Sequence, residues 1–259
     1  MEILFTLFLF FIGICIGSFL NVVIDRTGNG ESILFGRSHC DHCRHPLFWY
    51  DLFPLFSFIF LLGKCRYCHK KLKLQYPAVE LLTGVIFFTA GTMYLPYIIT
   101  ASEIIRLVLT LSVLSCFIAI FFIDLKFGII PDELIIIGSL CSLLLSIFYN
   151  GHALFDILTG IGTLCFFLVI FLATRQRGIG FGDVKLGFFM GLFLGFPQIF
   201  IAVYAAFVSG AIIGLWLVAQ KKKKFFGGVL PFGPFLIFGI FLSFFYGVYL
   251  LKIALHSLF

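Results

Sequence analysis

Long uninterrupted runs of apolar residues constrain this chain more than any other feature. A membrane-spanning helix needs about 20 apolar residues, and runs that reach or approach this length recur along the whole sequence. They lie at 3–24, 79–98, 104–123, 133–149, 153–173, 186–197, 199–219 and 232–255. Only 12% of the residues are charged, against about 25% in average soluble domains. We therefore expect an all-α polytopic membrane protein with about eight transmembrane helices; the sixth run is short, and seven spans are the main alternative.

The first apolar run is expected to remain as a spanning helix and not to be removed as a signal peptide. It has no basic segment before it, only Glu2, and it extends to Ile24, which is longer than the core of a typical signal peptide. Arg26 lies just after this run, and because basic residues flank spans on the cytoplasmic side, the N-terminus is placed outside.

The distribution of basic residues supports this orientation. Of the 18 Lys and Arg residues, all but Arg106 and Lys252 fall in the loops that the orientation places inside. These loops lie at about 25–78, 124–132, 174–185 and 220–231. The lysine run at 221–224 is interpreted as a cytoplasmic flank that contacts anionic lipid. The net charge of +6 is thus explained by the bilayer, and no nucleic-acid partner is expected.

The first inside loop carries two Cys-x2-Cys pairs. Cys40 and Cys43 are separated from Cys65 and Cys68 by 21 residues, a pattern typical of a structural zinc site that four thiolates enclose. A disulfide framework is disfavoured because the loop is expected to face the reducing cytosol; free or redox-active thiols are the alternative. Four histidines near the pairs rank below the cysteines as ligands: His39, His42, His45 and His69.

Between the cysteine pairs, residues 49–64 form an apolar segment that is too short to span comfortably. We expect this segment to lie along the membrane surface or to pack beneath the helices. Either arrangement would tie the cysteine loop to the bilayer.

Two aspartates are candidates for catalysis. Asp124 ends the third predicted span and Asp183 begins the sixth, so both fall at the same face of the membrane. Each is followed two residues later by a lysine, and since residues two apart on a helix do not face each other, Lys126 and Lys185 are expected to point toward headgroups. The aspartates are then free to face the bundle, where paired carboxylates can share one proton and act as acid and base. A helix-capping or locally paired role is the alternative for each.

Motifs along nearly the whole chain resemble those of the type IV prepilin leader peptidases, which are bifunctional membrane enzymes of pilus, type II secretion and competence systems. They are GSFLNVVIDR (17–26), the two cysteine pairs, YPAVELLTG (76–84), IDLKFGIIPDEL (123–134), GFGDVKLG (180–187) and LPFGPFLIFG (230–239). One departure is Thr27-Gly28, where the family often has a proline shortly after the arginine.

The resemblance implies two activities in the bacterial cytoplasmic (inner) membrane. The first is cytoplasmic-side cleavage of prepilins or pseudopilins between a basic leader and a hydrophobic helix, typically between Gly and Phe, with Asp124 and Asp183 as the catalytic pair. The second is N-methylation of the new N-terminal residue with S-adenosylmethionine, because the cysteine loop is associated with bifunctional members. The expected organisation is a first helix (1–24), a methyltransferase-associated cysteine loop (25–78) and a peptidase bundle (79–259).

Two further acids have competing interpretations. Asp132 is the main rival of Asp124 as the first aspartate that the resemblance implies. It follows Pro131, however, and is expected to have a structural role at the beginning of the fourth spanning helix, where it would favour the helix dipole. Glu80 lies in the opening turn of the second span; it either has the same structural role or helps to hold the substrate amine or the methyl donor.

Three other functions were considered. A member that has lost methylation is disfavoured by the cysteine loop and Glu80. An ion-coupled transporter is disfavoured because the two aspartates lie near one face and no internal repeat is visible. A zinc-braced scaffold would leave the paired Asp-x-Lys segments unexplained. The residues that bind S-adenosylmethionine and the oligomeric state do not follow from the sequence.

Overall fold

The computed structural model describes residues 2–30, 32, 36–94, 100–175, 178–220 and 231–256. Within these residues the chain forms helices, and its only β-structure is a pair of isolated bridges in the cysteine loop. The α-helices are α1 (Glu2–Asn29), α2 (Phe56–Phe60), α3 (Gln75–Tyr94), α4 (Ala101–Phe127), α5 (Asp132–Leu145), α6 (Ala153–Ala173), α7 (Phe181–Leu194), α8 (Gln198–Ala219) and α9 (Gly233–His256). A π-helical turn, Ser146–Asn150, continues α5. The predicted all-α class is confirmed.

Seven of the described helices are long and apolar enough to cross a membrane, so the polytopic prediction is confirmed. The count of eight spans is not. The sixth predicted run forms α7, which has 14 residues. At 1.5 Å per residue this helix is about 21 Å long, shorter than the roughly 30 Å hydrocarbon core. The lysine run at 221–224 lies outside the described residues.

The chain divides within α4 into two compact units, Met1–Ala119 and Ile120–Phe259. In the first unit α1 packs along α3. Two glycines one turn apart allow this contact: a Cβ on Gly13 would lie 2.8 Å from the Cα of Gly84, and one on Gly17 would lie 2.7 Å from the Cα of Glu80. Small residues at this spacing let helix backbones approach closely in membranes. The packing brings the opening turn of α3 against α1.

In the second unit α7 is the central helix. It packs against α5, α6, α8 and α9, and its residues Leu186, Phe189 and Met190 have no exposed surface. The helix is apolar because protein surrounds it. An apolar stretch of 10 to 14 residues is more typical of a buried core helix than of a span. The 14 residues of α7 fit this pattern, because a helix enclosed by protein does not have to cross the bilayer.

Two candidate functional sites

The structure brings the two candidate aspartates together. Asp124 lies in the last turn of α4 and Asp183 in the first turn of α7, and their relative exposures are 5% and 6%. They are close enough for the charge of Asp183 to act directly on Asp124. A pair of buried carboxylates at this proximity is the arrangement that the aspartate hypothesis requires.

The carboxylate of Asp124 faces the backbone at the start of α9. A Cβ added to Gly233 would lie 2.5 Å from Asp124 Oδ2. Among the described residues, this buried Oδ2 has no hydrogen-bond partner. Gly233 was quoted above only as part of LPFGPFLIFG, and its role was not foreseen: the position must lack a side chain because the carboxylate occupies that space.

Asp183 is oriented by its own helix terminus. The backbone N–H of Gly180 donates a hydrogen bond to Asp183 Oδ2 at 3.0 Å, and the N–H of Asp183 donates to the carbonyl of Gly180 at 3.1 Å. The capping role considered for this residue is therefore present. This capping contact is compatible with the position of Asp183 near Asp124. The contact uses Oδ2 and holds the carboxylate at the buried start of α7.

Lys185 joins α7 to α5. Its Nζ donates to both carboxylate oxygens of Asp132, at 2.7 and 2.8 Å. Asp132 is the first residue of α5 and is exposed, as its expected structural role requires. Lys185 points away from Asp183 as expected, but it binds Asp132 and is not left to the headgroups, because the first turns of α5 and α7 are adjacent.

In the first unit the four cysteine sulfurs form one cluster. The Sγ atoms of Cys40, Cys43, Cys65 and Cys68 all lie within 4.8 Å of one another, and no disulfide joins them. Zinc–sulfur bonds of about 2.3 Å in a tetrahedron place two sulfurs about 3.8 Å apart, and the Cys40–Cys68 distance is 3.9 Å. The cluster therefore has the donor set and the size to hold a zinc ion.

The two cysteine pairs have the same local conformation. Arg44 and His69 each follow the second cysteine of a pair and adopt left-handed backbone, with φ of 54° and 56°. Each donates its N–H to the carbonyl of the first cysteine, Cys40 at 2.9 Å and Cys65 at 3.0 Å. The sequence shows no repeat beyond the Cys-x2-Cys spacing, yet the loop is built from two matching knuckles.

The histidines near the cluster do not act as metal ligands in the described residues. The ring of His45 packs on Tyr67 with the ring centres 3.8 Å apart, and within the described residues no histidine joins the cysteine cluster. Burial raises the pKa of Cys65, but hydrogen bonds to its sulfur from the backbone N–H groups of Cys68 and Tyr67 outweigh this effect and bring the pKa to about 7. A thiol of this kind is readily converted to the thiolate that a metal ion binds.

A cavity of about 210 Å³ adjoins the cysteine loop within the first unit, and Glu80 lines it. Glu80 is 7% exposed, and its Oε2 accepts a hydrogen bond from the backbone N–H of Leu55 at 2.8 Å. Leu55 itself has φ of 60°, which is rare for a residue with a branched side chain. The contact between Glu80 and Leu55 links the cysteine loop to α3.

Two residues of this cavity, Asn21 and Tyr76, were not identified as candidates from the sequence. The Tyr76 hydroxyl lies 3.0 Å from Asp25 Oδ2 and 3.0 Å from Asp41 Oδ2. The side-chain amide of Asn21 donates to the Tyr76 carbonyl at 3.0 Å. Asn21 and Asp25 belong to GSFLNVVIDR, and Tyr76 opens YPAVELLTG, so the two segments were noticed for their family resemblance while their contact was not.

The fold and these two sites define a class: a multi-pass helical membrane protein with a buried pair of aspartates in one unit and a four-cysteine cluster in the other. Comparison with known families is more specific. Residues 11–94 match the family described as the bacterial peptidase A24 N-terminal domain, and residues 111–215 match the type IV leader peptidase family. The chain belongs to the type IV leader peptidase family.

Curated relatives agree over most of the chain, and three of them are each named prepilin leader peptidase/N-methyltransferase. The protein of Myxococcus xanthus is 34% identical over 229 residues, covering 85% of this chain and 65% of the relative. That of Pectobacterium carotovorum is 30% identical, covering 88% of each chain. That of Bacillus subtilis is 31% identical over 248 residues, covering 92% of this chain and 93% of the relative. No solved structure matches the chain significantly.

Proposed function

We propose that this protein is a membrane aspartyl endopeptidase that removes the basic leader from type IV prepilins or pseudopilins and then N-methylates the new N-terminal residue. The observation that carries the proposal is the pair of buried carboxylates, Asp124 and Asp183. They come from two separate sequence motifs, 123–134 and 180–187, and lie near each other at two helix ends. The names of the relatives support both activities.

In the proposed cleavage step the two aspartates share one proton. The protonated carboxyl polarises the scissile carbonyl while the ionised one accepts a proton from the attacking water, and the proton is then delivered to the leaving amine. Gly180 holds the carboxylate of Asp183 through its backbone N–H. The bare backbone at Gly233 leaves the carboxylate of Asp124 room beside α9.

The substrate is proposed to approach laterally from the bilayer. Its hydrophobic helix would lie among the spans and its basic leader at the cytoplasmic face, with cleavage typically between Gly and Phe. The concentration of basic residues in the predicted inside loops supports a bacterial inner-membrane protein with its N-terminus outside and its active site on the cytoplasmic side.

The methylation step is assigned to the first unit. Cys40, Cys43, Cys65 and Cys68 would hold a structural zinc ion, which has no open position once four thiolates bind it. S-adenosylmethionine, when bound, supplies an electrophilic methyl group. Residues 25–78 would form the methyltransferase-associated part, attached to the peptidase bundle proposed for 79–259.

The proposal is tested with purified wild type, Asp124→Asn and Asp183→Asn in detergent, each incubated with a prepilin and S-adenosylmethionine. Mass spectrometry of the product N-terminus should show cleavage and methylation by wild type and no cleavage by either variant. Glu133→Gln, the same chemical change at an exposed position of α5, should cleave normally. Cleavage by both aspartate variants would show that the two carboxylates are structural.

A further inference from the structure

Three glycines lie beside the two candidate aspartates, so the backbone next to the carboxylates is bare. Gly180 and Gly182 precede Asp183 at the start of α7, and Gly233 begins α9 next to Asp124. Positions without a Cβ allow another backbone to approach closely. A peptide substrate can therefore bring its own backbone near the two carboxylates.

The side chain of Ile130 lies between these glycines. Ile130 belongs to the loop 128–131, which connects α4 to α5. A Cβ added to Gly182 would lie 3.1 Å from Ile130 Cβ and 3.3 Å from Ile130 Cδ1. A Cβ added to Gly233 would lie 3.4 Å from the same Cδ1 and 2.5 Å from Asp124 Oδ2. Ile130 thus packs against the starts of both α7 and α9 and lies beside the carboxylate of Asp124.

The position and shape of Ile130 are those of a residue in the wall of a substrate pocket. Its side chain is half-buried, so part of it is free to contact a ligand. Isoleucine is branched at Cβ, which restricts its χ1 angle, and packing against two helix starts restricts this residue further. A rigid apolar side chain excludes an extra methyl group that a flexible one would accommodate by moving.

We infer that Ile130 determines which residue of the substrate can precede the scissile bond: its side chain fills the space beside the aspartates and restricts that residue to glycine. The inference rests on the peptidase activity proposed above and assigns the specificity of that same site. In the proposed binding mode the substrate helix lies among the spans and the leader on the loop side of the aspartates. The residue before the cut then meets the loop that carries Ile130.

The inferred restriction is steric. A glycine before the cut places only hydrogen atoms against Ile130, whereas an alanine adds a methyl group beside Cδ1. Discrimination against one extra carbon in an apolar pocket is typically about 10- to 200-fold. Ile130→Val is the sharpest probe of this contact, because it removes Cδ1, the atom that borders Gly233, and keeps the branch at Cβ.

The test measures kcat/KM on two prepilins that differ only in having Gly or Ala before the scissile bond. Wild type should strongly prefer the glycine prepilin. This preference should fall several-fold in Ile130→Val and about tenfold or more in Ile130→Ala, because the second variant removes more of the wall. Ile129→Val and Ile129→Ala are the matched controls, since Ile129 precedes Ile130 in the same loop and is 46% exposed. Both controls should keep the wild-type preference.

Comparing two substrates on one enzyme separates specificity from stability. A variant that is only less well folded loses activity toward both prepilins by the same factor, and its preference stays unchanged. Ile130→Val removes a single methyl group, a small change for a folded protein, so the test does not depend on the alanine variant.

An unchanged preference in both Ile130 variants, with or without lower activity, would overturn the inference, and so would equal cleavage of both prepilins by wild type. If wild type cleaves neither prepilin, the proposed peptidase function itself fails. If wild type cleaves the glycine prepilin and the Ile130 variants keep its preference, only this inference fails.

Discussion

Gly233 illustrates how a position without a side chain can determine the geometry of the proposed catalytic pair. The carboxylate of Asp124 occupies the volume that any Cβ at position 233 would need. Neither residue identifies the other in the sequence, because more than a hundred positions separate them. Their proximity depends on α4 ending where α9 begins.

We expect Gly233→Ala to lower cleavage by about 100-fold, the typical cost of displacing a catalytic group by roughly 1 Å. The added methyl group would lie 2.5 Å from Asp124 Oδ2 and would push the carboxylate aside. The measurement is kcat/KM on a prepilin peptide. Gly162→Ala on α6 is the matched control, since a Cβ there meets nothing within 4 Å. Wild-type activity in Gly233→Ala would mean that the position of Asp124 is not critical.

The ion pair between Lys185 and Asp132 favours Asp124 over Asp132 for the first catalytic role proposed here. Asp132 is exposed and saturated by its lysine, while Asp124 is buried. Partly exposed ion pairs contribute about 0–1 kcal/mol to stability. Asp132→Asn should therefore lower the unfolding midpoint slightly and leave cleavage within a few-fold of wild type. A loss as complete as that of Asp124→Asn would instead identify Asp132 as the catalytic partner.

Among the helices, α7 departs most from expectation. Hydropathy identifies residues that avoid water, and it does not distinguish burial in lipid from burial in protein. The run at 186–197 was for that reason counted as a sixth span. In the structure it is a 14-residue helix enclosed by its neighbours, and its first turn carries Asp183. The helix that presents the proposed catalytic carboxylate is stabilised by protein contacts along most of its length.

The apolar segment of the cysteine loop, residues 49–64, has large side chains exposed on its surface. Trp49, Phe60 and Leu62 are 76%, 82% and 82% exposed. Of the two arrangements considered for this segment, packing beneath the helices is not supported by such exposure. Aromatic side chains favour the headgroup region of a bilayer, so the segment is expected to lie in the membrane interface.

This expectation is tested by fluorescence of Trp49. The chain has two tryptophans, and replacing Trp216 by Phe leaves Trp49 as the single reporter. In vesicles, lipids brominated near the headgroup should quench its emission more than lipids brominated deep in the acyl chain, because interfacial aromatic rings lie at headgroup depth. Strong quenching by aqueous iodide, with none by either lipid, would place the segment in water.

In the molecule as a whole the two sites belong to different units. The cysteine cluster and the cavity with Glu80 lie in residues 1–119, and both candidate catalytic aspartates lie in residues 120–259. This separation predicts that the two proposed activities can be affected independently.

Cys65→Ser should reduce methylation by a larger factor than cleavage. The substitution removes one of four ligands, so the knuckles lose the metal that holds them together. The measurements are zinc content, the ratio of methylated to unmethylated product, and the rate of leader removal. Cys165→Ser, a cysteine of α6 outside the cluster, is the control. An equal loss of both activities in Cys65→Ser would show that the cysteine loop also supports the peptidase.

Much of this architecture is encoded in local sequence patterns and could be predicted from them. Apolar runs identify the spanning helices because a backbone in lipid must satisfy its hydrogen bonds within the helix. The Cys-x2-Cys spacing predicted the cysteine cluster, because each short knuckle presents two sulfurs to one ion. The two Asp-x-Lys segments indicated the buried pair, since a charge beside an apolar helix is costly unless it has a function.

The features that could not be predicted from the sequence depend on contacts between residues that are distant in the chain. No local pattern indicates that Gly233 borders Asp124, that Leu55 donates to Glu80, or that Tyr76 joins Asp25 to Asp41. These contacts exist because helix packing fixes which chain segments meet, and packing depends on the complementary shapes of whole helices. Composition therefore determined the type of protein and its candidate residues, whereas only the packed helices determined which carboxylates face each other, which one faces a cavity, and which apolar helix is too enclosed to meet lipid.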